Sequence, residues 1–280
     1  MKQLRENDIF RVVISGGEPT LRNDLFEIVE FGKKLGFEMA LISNGSSLIS
    51  DEILQNLDYL SISLDVLNKK QNELNRVVNK ECILRNIESA QKNNVYVNGI
   101  VTINATNIDK VKTYFGLKEE YNLPVTFSIF YSAEEDSAPF LINNEQLKRF
   151  VEDCVGSLSE VVEGLSAFDE IFCRENCAAG KANISVDASG NLSPCHMLHN
   201  MAVGNLLKDS EGAWERLRDF EKTICIPQEC KKCDYHLFCG GGCLARRLLS
   251  NDGLNRKDPY CEMYKSYYKK QYKYIKEMVV

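Results

Sequence analysis

No apolar run in this chain of 280 residues approaches the roughly 18 that cross a bilayer as a helix. The first residues, Met1-Lys-Gln-Leu-Arg-Glu-Asn-Asp8, are polar and hold no apolar stretch of a secretory signal. A basic excess is missing too. There are 34 Lys and Arg against 40 Asp and Glu, a net charge of -6, which argues against nucleic acid as the main partner. Internal repeats and low-complexity linkers are absent, and no cysteine precedes Cys82. These absences point away from membrane and nucleic acid and toward a reducing cytoplasm. With 44% hydrophobic and 26% charged residues the chain is ordinarily globular.

What is present is thiol. Nine of the eleven cysteines fall between Cys173 and Cys261. The tightest run is Cys230-x2-Cys233-x5-Cys239-x3-Cys243, with Gly240, Gly241 and Gly242 filling its last gap. Upstream lie Cys173-x3-Cys177 and Gly190-x4-Cys195. Thiolate is the ligand for zinc and for iron–sulfur clusters, so a metalloprotein is the leading reading. Disulfides are the competing one. The cysteine count is odd, and a chain of this length buries a core without such staples.

The first 160 or so residues alternate strand and helix signals. Strands are expected over 10–15, 37–43, 59–65, 95–103 and 124–131. Helices are expected over 24–35, 50–57, 82–92, 108–121 and 144–159. The third strand places Tyr59, Ser61, Ser63 and Asp65 on one face. Repeated βα units imply a parallel α/β sheet with right-handed crossovers, either a closed barrel or an open doubly wound sheet. After about residue 165 the texture changes. A β-hairpin is expected around Ala188-Ser-Gly190, then a short helix carrying Trp214, the cysteine-rich loop and a Tyr/Lys-rich helix. Little there reads as an independent hydrophobic core, a lack that metal–thiolate bonds can offset.

Three motifs sit at strand ends. In Gly16-Gly17-Glu18-Pro19 the glycines let a ligand approach the backbone, and Glu18 can bind an ammonium group. Ligands in α/β folds lie outside the carboxyl ends of strands. The bland alternative is a tight turn with Pro19 starting a helix. Ser43-Asn44-Gly45 and Ser63-x-Asp65 offer hydroxyl, amide and carboxylate groups that can grip a ribose or an amino-acid moiety. Capping and turn chemistry also favours those residue types.

Together these motifs and the cysteine array resemble radical S-adenosylmethionine (AdoMet) enzymes with a C-terminal SPASM domain. Cys177-x12-Gly190-x4-Cys195, the run from Cys230 to Cys243, and Cys261 match every SPASM spacing. The resemblance implies a partial (β/α)6 barrel over residues 1–165, lacking its first strand, and a small SPASM domain with a β-hairpin and short helices over 166–280. It implies that Cys173, Cys177, Cys195 and Cys243 hold one auxiliary 4Fe–4S cluster, and that Cys230, Cys233, Cys239 and Cys261 hold a second. Gly16 to Pro19 resemble the motif that holds the AdoMet amino group. Asn44, Ser63, Asp65 and Arg76 resemble its further contacts, although Val66 stands where a glycine usually follows the aspartate. Cys82 and Cys154 are left as small buried hydrophobes, with Cys225 as an alternate ligand.

Two departures matter. The family binds its catalytic cluster, a third one, through C-x3-C-x2-C ahead of the Gly-Gly-Glu-Pro strand, and this sequence has no such motif. A truncated start is expected, which would leave this chain alone inactive. His196 also stands where sulfatase-maturing relatives carry an aspartate, so that activity loses support.

The expected activity is hydrogen abstraction by a 5′-deoxyadenosyl radical from a peptide or protein, such as a ribosomal peptide precursor. The electron donor would be of the ferredoxin or flavodoxin kind. The alternatives are a non-catalytic iron–sulfur electron carrier or adaptor, and a zinc-stabilised binding module.

Overall fold

A computed structural model describes residues 1–64, 80–154, 161–162, 177–250 and 253–278. Asp65, Arg76 and Cys173 lie outside the described residues.

Apolar alternation and helical periodicity produce the expected order of elements. Helix α1 (Lys2–Glu6) leads to β1 (Arg11–Ile14), a 3-10 turn (Pro19–Leu21), α2 (Leu25–Lys34) and β2 (Glu38–Ser43). Next come α3 (Asp51–Leu54), β3 (Tyr59–Ser63), α4 (Lys80–Lys92) and β4 (Tyr96–Ile103). Then follow α5 (Lys112–Tyr121), β5 (Val125–Ile129), α6 (Asn144–Cys154) and β6 (Val161–Val162). Strands β1 to β6 form one sheet in chain order, with β1–β2, β2–β3 and β3–β4 parallel. A doubly wound sheet reverses its strand order at a switch point, and this one does not. Each crossover steps the same way, which is the winding of a barrel.

The strand period sets the two faces of the sheet. Leu60 and Ile62 of β3 are fully buried, while Tyr59, Ser61 and Ser63 on the other face are half-buried. On that face Ser61 Oγ donates to Asn98 Oδ1 at 2.7 Å, and Asn98 Nδ2 donates to Thr126 Oγ1 at 3.1 Å. A polar ladder therefore crosses β3, β4 and β5. Helix α4 buries Ile83, Ile87 and Ala90 at helical spacing, and α2 buries Leu25 and Val29. Gly32 lets α2 press onto β2, since a Cβ there would lie 2.3 Å from Met39 Sδ. The helix expected over 108–121 is a 3-10 turn, Ile108–Lys110, and then α5. The Asn107 carboxamide oxygen, accepting from Asn104 N–H at 2.8 Å, holds the chain in a turn before it.

The cysteine-rich part carries β7 (Ser185–Val186), β8 (Asn191–Ser193) and β9 (Gly204–Asn205), followed by α7 (Ser210–Thr223), α8 (His236–Cys239), α9 (Leu244–Leu249) and α10 (Cys261–Met278). The expected hairpin is β7–β8, turned by Asp187, whose Oδ1 accepts the N–H groups of Ser189 and Asn191. Strand β9 adds a third antiparallel strand on β8. With only two residues it shows no alternation that could announce it. A small core does exist here, against expectation. Ala179, Leu198, Ile224, Leu244 and Ala245 form a buried cluster. They come from separate short segments, so no single stretch displays them.

The chain groups into two compact units. Met1–Ile103, Lys112–Ser128 and Ser159–Val161 make one, and Asn104–Val111, Ile129–Leu158 and Val162–Val280 make the other. This differs from a break at 165. Helix α6 packs on α10, and Tyr260 Oη donates to the Phe130 carbonyl at 2.9 Å, so Ile129–Leu158 goes with the cysteine-rich unit. No helix among the described residues is long and apolar enough to cross a membrane.

Candidate cofactor and metal sites

The carboxyl ends of β1, β2 and β3 lie side by side, since Ile14 pairs with Leu41 and Ser43 with Ile62. Parallel pairing thus brings the three sequence motifs to one edge, with Ser63 ending β3 beside Ser43. Glu18 ties this edge together. Its Oε1 accepts the Thr20 N–H at 3.2 Å, the Thr20 hydroxyl at 2.7 Å and the Ser43 hydroxyl at 2.7 Å. Its Oε2 accepts the Asn44 N–H at 2.8 Å. Burial works to raise the Glu18 pKa, but the Asn44, Ser43 and Thr20 hydrogen bonds together outweigh it and hold the carboxyl below its ordinary value. With one bond on Oε2 against three on Oε1, the first has acceptor capacity left.

Gly16 has φ +130°, a conformation that side chains rarely adopt. No atom of the described residues lies within 4 Å of a Cβ built on Gly16 or Gly17. Among the described residues nothing packs over the two glycines. Gly45 differs: a Cβ there would lie 2.9 Å from Ile83 Cγ1, so that glycine serves packing. The Asn44 side chain accepts from Ser46 N–H at 2.8 Å, which is turn chemistry. Asn86, not foreseen from sequence, is buried and holds this loop. It accepts from Ile49 N–H at 2.9 Å and donates to the Ser47 carbonyl at 2.8 Å.

None of Cys177, Cys225, Cys230, Cys233, Cys239, Cys243 and Cys261 is in a disulfide. Cys230, Cys233, Cys239 and Cys261 line one cavity of ≈ 140 Å³, together with His236, Gly241, Lys257 and Tyr264. The run from Cys230 to Cys239 folds as a 3-10 turn and α8, which Gly240 ends at φ +61°. Cys261 enters at the start of α10. Burial foremost raises the Cys230 and Cys261 thiols and pushes Cys239 up to about 12. Cys177, Cys195 and Cys243 pack against the Ala179–Leu198–Ala245 cluster. Cys243 is raised by burial as well. Thiols in such a setting become thiolates only when a metal supplies positive charge.

Among the described residues no three His, Cys, Asp or Glu side chains converge closely enough to hold one metal ion. A single zinc needs four donors about 2.3 Å from one point. His196 stands next to the first set, with Nδ1 3.8 Å from Cys195 Sγ, and His236 Nδ1 lies 2.8 Å from the Cys233 carbonyl.

Behind the thiols is a charged network. Asp258 Oδ2 accepts the Cys243 N–H at 2.6 Å, and Asp258 Oδ1 accepts the Tyr260 N–H at 2.7 Å. Arg246 grips the same carboxylate with Nε at 3.0 Å and Nη2 at 2.9 Å, and also donates to Tyr264 Oη. A Cβ on Gly242 would lie 2.5 Å from Asp258 Cβ, which explains that glycine. The only hint of this network in the sequence is the placing of charges beside ligand-type cysteines, in Arg246-Arg247 after Cys243 and Asp258 before Cys261.

Residues 1–116 match the Radical SAM superfamily. Over 286 residues the chain is 24% identical to the mycofactocin maturase MftC of Mycolicibacterium smegmatis, covering 92% of this chain and 72% of that protein. Over 289 residues it is 24% identical to the AdoMet-dependent heme synthase of Methanosarcina barkeri, covering 89% and 81%. A solved structure of native anSMEcpe with bound AdoMet and a peptide is alike in fold, with a TM-score of 0.72 at 19% identity over 96% of this chain and 84% of that one. By the match over its first 116 residues and by its singly wound α/β sheet, the chain is similar to radical SAM enzymes.

Proposed function

We propose that the chain is of the peptide- or protein-modifying radical SAM kind, without the C-x3-C-x2-C motif of the catalytic cluster in these 280 residues, and that its cysteine-rich part is a SPASM domain holding two 4Fe–4S clusters. The observation that carries this reading is the cavity walled by Cys230, Cys233, Cys239 and Cys261. Its four partly buried thiols surround one space. Cys173, Cys177, Cys195 and Cys243 would hold the other cluster. The likenesses to MftC and to peptide-bound anSMEcpe support a peptide substrate.

Bound AdoMet supplies hydrogen-atom abstraction once an electron is delivered to it, and an external donor of the ferredoxin or flavodoxin class fits that need. The open space over Gly16 and Gly17 is where a ligand meets backbone without side-chain obstruction. Glu18 Oε2 faces that role with capacity to accept an ammonium proton. Its other bonds hold it rigid between β1 and β2, so the acceptor is already oriented before a ligand arrives. Asn44 and Ser63 border the same edge. Asp65 and Arg76 belong to the site by resemblance alone.

The test is anaerobic reconstitution followed by metal analysis and binding assays. About eight iron atoms per chain are expected, from two four-thiolate sites. Two zinc atoms with negligible iron would sink the reading in favour of the zinc module. Binding of AdoMet and of peptide precursors supports the enzyme, whereas iron without either supports a cluster carrier or adaptor. The heme-synthase likeness makes porphyrin the competing substrate, so a porphyrin is titrated in parallel.

A further inference from the structure

The segments that supply the second cysteine set also build an exposed aromatic platform. Tyr235 stacks on Tyr268 with ring centroids 6.3 Å apart, and Phe238 leans on the same ring at 5.9 Å. Tyr268 Oη donates to the Phe238 carbonyl at 3.0 Å, which ties α8 to α10. Leu237 is 50% exposed, Phe238 47% and Tyr272 67%. Within the single turn of α8, His236 and Cys239 line the thiol cavity while Leu237 and Phe238 between them face water. Single exposed apolar side chains are ordinary, but a group of them beside a site marks an interaction surface.

The same surface is basic on an acidic chain. Residues 230–239 and Cys261–Met278 together hold seven lysines against three acids, whereas the whole chain carries a net charge of -6. Counted from Cys261, positions 265, 268, 269, 272 and 276 share one face of α10, as helical spacing requires. Lys269, Tyr272 and Lys276 are exposed there. Lys265 lines the cavity and pairs with Glu262 at 3.1 Å. No acid among the described residues pairs with Lys269 or Lys276. An apolar centre with a charged rim is the anatomy of a protein interface, and the sign of this rim calls for an acidic partner.

We propose that this face of α8 and α10 docks an acidic one-electron carrier protein of the ferredoxin or flavodoxin class, which passes its electron to the cluster held by Cys230, Cys233, Cys239 and Cys261. This rests on the cluster reading above and gives the electron donor a place on the chain. The lysines draw an acidic carrier in and orient it, and the apolar centre is covered on contact. The reduced carrier loses one electron and is oxidised, and the cluster gains that electron. No bond forms or breaks, and no proton moves. Transfer requires closeness, and one turn of helix carries both the cavity lining and the docking residues. Electron-transfer encounters are small and short-lived, which suits a patch of this kind.

The test uses the full chain, reconstituted anaerobically, with a small acidic ferredoxin and an acidic flavodoxin as probes. Binding of each oxidised carrier is measured by calorimetry, and reduction of the chain by each reduced carrier in stopped flow. Lys269→Glu/Lys276→Glu slows reduction about tenfold or more at low salt. Variant and wild type converge as salt screens the charges. Lys118→Glu/Lys208→Glu, the same change of charge at exposed sites elsewhere, reacts like wild type. Leu237→Ser weakens binding at low and high salt alike, since it removes apolar contact and no charge. Equal falls in both double variants, or a fall in neither, overturn the proposal. A wild-type dimer that Leu237→Ser dissolves assigns the face to a second copy and overturns it too. So does an acidic peptide that binds with the same dependence on Lys269 and Lys276 when neither carrier binds. Should the lysine variant not fold, Leu237→Ser decides alone. Wild type that takes up no iron defeats the cluster reading itself. Full iron with no carrier bound defeats only the docking surface.

Discussion

Asp258 accepts the backbone N–H of Cys243 at 2.6 Å through its carboxylate. Its own carbonyl accepts the N–H of Cys261 at 2.9 Å. The two cysteines belong to different expected clusters, so one residue sets the backbone of a ligand in each. Its partner Arg246 is 7% exposed and Asp258 itself 2%. Removing the acid from a pair buried this deeply strands the guanidinium, which costs about 3–5 kcal/mol. Asp258→Ala should lower unfolding free energy in that range, read by denaturant titration of the reconstituted protein. Asp258→Asn, which keeps one acceptor oxygen, should lose less. Equal stability of Asp258→Ala and wild type would show that the network contributes little.

Cysteine replacement separates the two sets. Cys230→Ala should remove the second cluster, and Cys243→Ala the first. Each variant should retain about four of about eight irons and a different resonance signal. Loss of the same signal in both variants would break the proposed ligand assignment.

Acid should weaken the β1–β2 edge through Glu18. The carboxyl is held below its ordinary value of 4.5 in the folded state. Its contribution is therefore complete above the unfolded value and is lost as pH falls through the lower folded value. In a series of denaturation curves from pH 7 downward, wild type should lose more stability below about pH 4.5 than Glu18→Gln does. Parallel curves for the two proteins would contradict the hydrogen-bond assignment.

The two open glycines should respond differently to a methyl group. Gly16→Ala forces a side chain into φ +130° and should cost about 1 kcal/mol or more in stability. Gly17 has no such φ, and its Cβ position meets nothing within 4 Å. Gly17→Ala should therefore melt like wild type, and a fall in AdoMet affinity measured by calorimetry would come from the ligand's own contact with the new methyl. Undiminished affinity in Gly17→Ala would place the ligand elsewhere.

Reductive cleavage of AdoMet needs an iron with an open coordination position. The eight cysteines of the two sets leave Cys82, Cys154 and Cys225, which form no C-x3-C-x2-C. Cys82 is buried in α4 with its Sγ 3.9 Å from Asn86 Nδ2. These 280 residues, reconstituted and given a strong reductant, should yield no 5′-deoxyadenosine by chromatography. Cluster-dependent product would reveal a third site among other ligands.

Short-range pattern determined much of this protein. Period-two apolarity located β1 to β5, helical spacing located α2, α4 and α6, and the Gly16–Pro19, Ser43–Asn44 and Ser63 motifs fell at strand ends. Parallel neighbours then had to bring those ends together. The thiol spacing likewise brought Cys230, Cys233 and Cys239 near one another within a single turn-rich segment. The tertiary structure decided which partner each charged group takes. Glu18 bonds across 26 residues to Asn44, Asp258 across 15 to Cys243, and Tyr260 across 130 to Phe130. It also decided that Ile129–Leu158 packs with the cysteine-rich unit and that Arg246 finds an acid. Periodicity reports only which face of an element is buried. Whether a buried charge is matched depends on distant segments arriving at the same point, and no local pattern encodes that.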